Sequence, residues 1–176
     1  MKTLNKRMGF ALIVDLFILG MLIGIDQMTK QLAVIHLKNQ PAIPIIKDIF
    51  ELNYLENRGA AFGMLQNQKL FFVIIAVVML CCISYVIVKM PVDRKYTMLE
   101  ILLLLISAGA VGNMIDRLRM NYVVDFFYFK LINFPIFNVA DIYVSVSCIL
   151  LAVLILFYYK EEDFKFLGRN NHKEEQ

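Results

Sequence analysis

Residues 142–159, IYVSVSCILLAVLILFYY, carry no charged side chain over 18 positions. At 1.5 Å per residue a helix of that length reaches about 27 Å, close to the roughly 30 Å hydrocarbon core of a bilayer. A half-exposed helix of a soluble domain would instead show a polar face. Three runs of similar length precede this one, at 8–25, 70–88 and 98–115. The run at 70–88 is also uncharged, the first contains only Asp15, and the third only Glu100. Composition agrees, with 60% hydrophobic residues and a mean hydropathy of +0.65, against about 45–50% apolar residues in soluble domains. The fold class expected is an all-α membrane protein with four transmembrane helices, forming one integral membrane domain over residues 1–176.

Lys2, Lys6 and Arg7 ahead of the first run look like the start of a cleavable signal peptide. Asp15 within the run and the missing small-residue cleavage site make it a retained helix instead. Four crossings put both termini and the 89–97 loop on one side. Those parts hold ten Lys and Arg in 33 residues, whereas 26–69 and 116–141 hold eight in 70. The positive-inside rule then makes the termini cytoplasmic and the two longer segments external. The tail at 160–176 mixes both charge signs with Gly168, Asn170 and Asn171, and reads as a solvated, poorly ordered end.

The external segment 26–69 reads as β-rich. Pro41 and Pro44 interrupt helix, and Phe50, Leu52 and Tyr54 alternate with Glu51 and Asn53 as in a half-buried strand. Asn57-Arg58-Gly59 signals a turn, with the small Ala60 and Ala61 behind it. A net charge of +3 without a basic, aromatic-laced run speaks against nucleic acid as a partner. Cys81, Cys82 and Cys148 have neither zinc-site nor disulfide spacing and read as small buried apolar side chains. His36 and His172 share no ligand motif, so neither a metal nor a cofactor is expected.

The polar residues gather at one boundary. Asp26 and Lys30 follow the first run, Asn57 lies in the external segment, and Asn113, Asp116 and Arg117 end the third run; Asp125, Asn138 and Asp141 precede the fourth. Carboxylates beside hydrocarbon cost up to about 2.5–3.5 kcal/mol at a helix centre, so a convergent set points to function. The i, i+4 pair Asp26 and Lys30, and Asp116 with Arg117, read as structural or orienting pairs. Asp141 at a helix N-terminus is favoured as the ionised form, while Val123, Val124, Phe126 and Phe127 desolvate Asp125 and raise its pKa. Separated pKa values suit an acid and a base. Spacing alone leaves three readings of Asp125 and Asp141 open: a catalytic pair, proton or ion translocation, and structural hydrogen bonding.

Five blocks add specificity: Asp26-Gln27-Met28-Thr29-Lys30, Asn57-Arg58-Gly59-Ala60-Ala61-Phe62, Gly112-Asn113-Met114-Ile115-Asp116-Arg117, Val123-Val124-Asp125-Phe126 and Phe137-Asn138-Val139-Ala140-Asp141. In this order around four spans, they resemble the signature blocks of lipoprotein signal peptidase, or signal peptidase II, over roughly residues 8–159. The resemblance implies a small extracytoplasmic β-cradle with a short surface helix, and an aspartic endopeptidase in the bacterial cytoplasmic membrane with its site near the outer face. It makes Asp125 and Asp141 catalytic, with Asp26, Lys30, Asn57, Gly59, Ala60, Asn113, Asp116, Arg117 and Asn138 as binding or supporting residues. The implied substrates are diacylglyceryl prolipoproteins, cut just before the lipobox cysteine without a cofactor. Membrane lipids are implied partners, and globomycin-type peptides implied inhibitors. Ile142 and Tyr143 depart from the small residues often found after the second aspartate. A proton-coupled transporter and an inert membrane scaffold are the alternatives. Carboxylates at one face rather than at the bilayer midplane count against the transporter.

Overall fold

The computed structural model describes residues 2–59 and 68–168. Ala60 and Ala61, expected beside the turn at Gly59, lie outside the described residues, as does His172. Four helices among the described residues are long and apolar enough to cross a membrane: α1 (Lys2–Leu37), α2 (Lys69–Lys89), α3 (Thr97–Met120) and α4 (Val139–Phe157). The most apolar stretch of α3 is 56% buried, against 6–11% for the other three. Helix α3 is therefore the axis of the bundle, and α1, α2 and α4 turn most of their apolar surface outward.

Small residues let α4 and α1 approach that axis. A Cβ on Gly109 of α3 would run into the Ala140 carbonyl and lie 2.7 Å from a Val144 methyl, and one on Gly112 would meet the Asp26 carboxylate. The chain leaves α1 through Asn39 and α3 through Asn121, with φ of 61° and 64°. Asparagine tolerates this left-handed conformation, and it ends a helix sharply.

Helix α1 corrects the expected span. It continues for twelve residues past Ile25, so the segment from 26 begins as helix and is β-structured only at 43–57. Hydropathy ends the run at Asp26 and Lys30, but both are buried against α3 at 0% and 3% exposure, and helix-breaking residues come only with Asn39 and Pro41.

Strands β1 (Ile43–Ile46), β2 (Phe50–Asn57) and β3 (Val123–Phe129) form an antiparallel sheet in that order. The sheet lies at the end of the bundle where α1 and α3 finish and α2 and α4 begin. Its register puts Leu55 opposite Asp125 and Asn57 opposite Val123. Strand β2 falls where alternation places it, but its faces differ from expectation. Glu51 is the buried residue, held by Lys130 at 3.2 Å, and a register shift between Leu52 and Leu55 breaks the alternation. A helical turn at Lys130–Ile132 follows β3 on the same side.

Two further expectations are corrected. The stretch from 160 is not a loose tail up to Gly168: Glu161–Leu167 form a 3-10 helix. Asp163 pairs with Lys95, the Tyr96 hydroxyl donates to the Asp163 carbonyl (2.9 Å), and the Tyr159 hydroxyl donates to the Lys95 carbonyl (2.8 Å). The Tyr96 and Tyr159 rings stack at 6.1 Å beneath these bonds. Cys81, Cys82 and Cys148 are exposed on the outside of the bundle rather than buried, because in a membrane the apolar face of a helix points to lipid.

The Gly109 contact yields a direct test. Gly109→Ala pushes α4 away from α3 and costs about 1–3 kcal/mol, the usual range for overpacking. Thermal unfolding in detergent should show a lower midpoint, and an unchanged midpoint would contradict this packing.

Candidate active site

The site is built on one buried lysine. Lys30 of α1 donates to Asp26 Oδ2 at 2.9 Å, to Asp116 Oδ2 at 3.0 Å and to Asn113 Oδ1 at 2.8 Å. All three protons of the ammonium are thereby used, which a buried cation requires. Gln27 closes the same cluster, its Nε2 lying 3.2 Å from Asp26 Oδ2, 3.0 Å from Asp116 Oδ1 and 3.2 Å from the Gly112 carbonyl.

Each carboxylate in the cluster also fastens a second element. Asp26 Oδ1 accepts the Ala140 N–H at 3.0 Å, at the start of α4, and Asp116 Oδ2 accepts the Val124 N–H at 3.2 Å, in β3. These bonds set the positions of the two segments that carry Asp141 and Asp125. Asp116 and Arg117, expected to pair, take different partners, because adjacent helical residues point apart. Arg117 donates to the Asn113 and Gly59 carbonyls at 3.4 and 3.2 Å and lies over the Phe72 ring at 4.5 Å.

From Lys30 the order passes outward through amides. With Asn113 Oδ1 accepting from Lys30, its Nδ2 is left to donate to Asp141 Oδ1 at 2.8 Å. Asn138 caps α4: its Oδ1 accepts the Asp141 N–H (3.0 Å), and Asp141 Oδ2 accepts the Asn138 N–H (3.1 Å). This reciprocal capping box needs an acidic or amide residue three positions on. Asn138 Nδ2 donates to Asp125 Oδ1 at 2.6 Å, so one asparagine holds both Asp125 and Asp141. Asn57 Nδ2 donates to Asp125 Oδ2 at 2.8 Å, while its Oδ1 accepts the Gly59 N–H at 3.0 Å in a turn.

Asp125 is 1% exposed. Its pKa is pushed up to about 7, first by burial and then by the negative charge of Asp141, against the pull of the amides of Asn57 and Asn138. The desolvation expected from its apolar neighbours is thus present. A carboxyl group that holds its proton near neutrality can donate a hydrogen bond or act as an acid.

Asp125 and Asp141 both line a cleft of about 400 Å³, together with Asn57, Gly59, Arg117 and the apolar segment Phe134–Phe137. A smaller cavity of about 200 Å³ lies toward α2 and shares Arg117, Asp141 and Ser145 with the cleft. Of the residues singled out from sequence, Asn57, Gly59, Arg117, Asp125 and Asp141 face the cleft. Asn113 and Asn138 stand directly behind them, and Asp26, Lys30 and Asp116 form the buried support; Ala60 lies outside the described residues. Sequence reasoning missed Gln27, Phe72, Ser145 and the Phe134–Phe137 wall. A signal existed for two of these: Gln27 lies inside the block that carries Asp26 and Lys30, and Phe134-Pro135-Ile136-Phe137 is an apolar run between two aspartates.

A family model described as Signal peptidase (SPase) II matches residues 18–157. The chain belongs to the signal peptidase II family. Relatives cover most of it. The lipoprotein signal peptidase of Caldanaerobacter subterraneus subsp. tengcongensis is 46% identical over 141 residues, 80% of this chain and 94% of that protein. The lipoprotein signal peptidase of Clostridioides difficile is 39% identical over 143 residues, 81% and 95% of the two chains. Two bacterial membrane enzymes solved by the in meso method share the fold. The one at 2.3 Å resolution has a TM-score of 0.70 at 26% identity, covering 93% of this chain and 94% of its own. The one at 1.9 Å has a TM-score of 0.71 at 30% identity, with coverages of 83% and 94%. Membership makes this chain a multi-pass membrane peptidase.

Two outcomes follow from the geometry. Lys30→Met strands the Asp26 and Asp116 carboxylates in the interior at a cost of about 3–5 kcal/mol; this variant should yield little folded protein, and wild-type yield with an unchanged unfolding midpoint would refute the role of Lys30. The second concerns pH. Because folding raises the Asp125 pKa from 3.8 to about 7, the folded protein keeps a proton over that interval that the unfolded chain has released. The contribution of Asp125 to stability therefore falls as pH rises from about 4 to 7 and stays low above that range. Asp125→Asn removes this dependence, so its unfolding midpoint relative to wild type should increase between pH 5 and pH 8, each about one unit or more from the two pKa values. A constant difference across that range would contradict the raised pKa.

Proposed function

We propose that the chain is an aspartic endopeptidase that cleaves diacylglyceryl-modified prolipoproteins just before the lipobox cysteine, with Asp125 and Asp141 sharing one proton around the attacking water. The observation that carries this reading is that both carboxyl groups line one cleft and hang from the same asparagine, Asn138. Two nearby carboxyl groups resist simultaneous ionisation, so the pair titrates as a unit and keeps one proton near neutrality. Burial of Asp125 favours it as the holder of that proton, leaving Asp141 as the base.

In the first step, Asp141 takes a proton from the water, whose oxygen bonds to the scissile carbonyl carbon as Asp125 gives its proton to the carbonyl oxygen. Collapse of the tetrahedral diol breaks the C–N bond: Asp141 gives its proton to the leaving amine of the cysteine while Asp125 takes one back from a diol hydroxyl, which becomes the carbonyl of the new carboxyl group, and the pair returns to its starting protonation. Asn57, Gly59 and Arg117 line the cleft with the carboxyl pair, where they can hold an extended substrate backbone. The same cleft is the place for a globomycin-type peptide inhibitor.

The chain is one domain of the bacterial cytoplasmic membrane, with cytoplasmic termini and the sheet and cleft on the outer side. The excess of Lys and Arg flanking the opposite ends of the helices supports this orientation. A lipid-anchored substrate then keeps its acyl chains in the leaflet while the bond before its cysteine reaches water at the cleft.

The experiment is cleavage of a purified diacylglyceryl prolipoprotein in detergent micelles. Asp125→Asn and Asp141→Asn should each lower the rate by at least about 100-fold, the scale of losing a general acid or base, while remaining folded. Substantial turnover by either folded variant would remove the aspartic mechanism. Equal cleavage of an unlipidated precursor by the wild type would remove the lipid requirement.

A further inference from the structure

Below Asp141, helix α4 has two unlike faces. Ala140, which packs on Gly109 and Gly112 of α3, and Ser147, seven positions on, are its buried residues. On another face Ile142, Val146, Ile149 and Val153 follow at spacings of four, three and four residues, and all are exposed. Ile142 and Val146 line the cleft, so this apolar stripe runs from the carboxyl pair toward the bilayer interior. One polar residue interrupts it. Ser145, three positions after Ile142 and four before Ile149, is exposed in the same stripe and lines both the cleft and the smaller cavity beside it.

A serine in a membrane helix ordinarily spends its hydroxyl on the backbone carbonyl one turn back or on a neighbouring helix. Ser107 of α3 does so, donating to the Leu103 carbonyl at 2.8 Å, whereas Ser145 makes no such bond among the described residues. The Asp141 carboxylate, one turn away, is already held by Asn113 and Asn138. Ser145 therefore offers a donor from an apolar wall, where an unpaired hydroxyl is costly and a bound acceptor is favoured. Its height identifies the acceptor. Ser145 lies one turn, about 6 Å, further into the bilayer than Asp141. In a diacylglyceryl cysteine, Cα, Cβ, the sulfur and two glyceryl carbons separate the scissile nitrogen from the nearest ester oxygen. A chain of that length spans one helical turn, so a nitrogen at the carboxyl pair sets an ester beside Ser145. Signal-peptide carbonyls at that depth are spent on their own helix.

We propose, on the footing that the carboxyl pair cuts beside a lipidated cysteine, that the Ser145 hydroxyl donates a hydrogen bond to an ester carbonyl of the substrate's diacylglyceryl group. The acyl chains then lie along Ile142, Val146 and Ile149, which flank the donor as the chains flank the ester. Ser145 is thereby a specificity residue. An apolar wall alone discriminates poorly between a lipid ester and plain hydrocarbon of the same length, whereas a wall with a placed donor disfavours the analogue that lacks the acceptor.

Two precursor peptides test this in phospholipid-free detergent micelles. One carries the diacylglyceryl group and the other its dialkyl ether, which has the same chains but no ester carbonyl. The wild type should cleave the diester with a KM about three- to tenfold lower than the diether, the scale of one neutral hydrogen bond, and with a similar kcat. Ser145→Ala, which suits an exposed helical position, should lose that preference. Ser145→Thr keeps the hydroxyl and should retain it. A Ser145→Ala variant that still prefers the diester, or a wild type that treats the two peptides alike, would overturn the role of Ser145. Failure of the wild type to cut either peptide would instead overturn the peptidase reading, and this role with it.

Discussion

The architecture depends on the burial of one ammonium group. Lys30 is 3% exposed and uses all three of its protons on Asp26, Asp116 and Asn113. A buried cation is tolerated only with such partners, and a buried carboxylate only with such a cation. The cluster therefore forms with all of its members or with none. Its outer bonds, from the Ala140 and Val124 amides to Asp26 and Asp116, hold the starts of α4 and β3 in place. Asn113 passes the order on: once Lys30 fixes its oxygen, its nitrogen can only face Asp141.

This division of labour separates stability from chemistry. Asp26 and Asp116 are bound by Lys30 and Gln27 away from the cleft, whereas Asp125 and Asp141 are held by neutral amides at its wall. Amide donors orient a carboxyl group without fixing its charge as strongly as an ion pair does. Arg117 has turned to the Gly59 carbonyl and the Phe72 ring, so among the described residues the pair has no bonded cation. A carboxyl group in this setting can still gain and lose a proton, which is what acid–base work on a water molecule requires.

The legible parts of the structure were those written in local chemistry. Long apolar runs gave four helices, the alternation after Phe50 gave β2, and the start of the fourth run put Asp141 at a helix N-terminus. Other features depend on partners distant in sequence. Asp26 and Lys30 ended the first run on hydropathy, yet α1 continues because Asn113 of α3, 83 residues beyond Lys30, and the Asp116 carboxylate of the same helix complete the partners of the Lys30 ammonium. Glu51 is buried because Lys130 reaches it from beyond β3. The 161–167 turn is ordered by Lys95 and Tyr96, which a mixed-charge composition does not reveal. In a membrane, burial and hydrophobicity also part company, so apolar cysteines face outward.

In the proposed mechanism the carboxyl pair keeps one proton, held on Asp125. Infrared difference spectroscopy of the protein in detergent, titrated from acid to alkali, reads that proton through the stretching band of the protonated carboxyl group. The band should fade as pH passes about 7 and be missing in the same pH range from Asp125→Asn. A band that persists unchanged in that variant, or a wild-type protein with no protonated carboxyl signal at neutral pH, would contradict it.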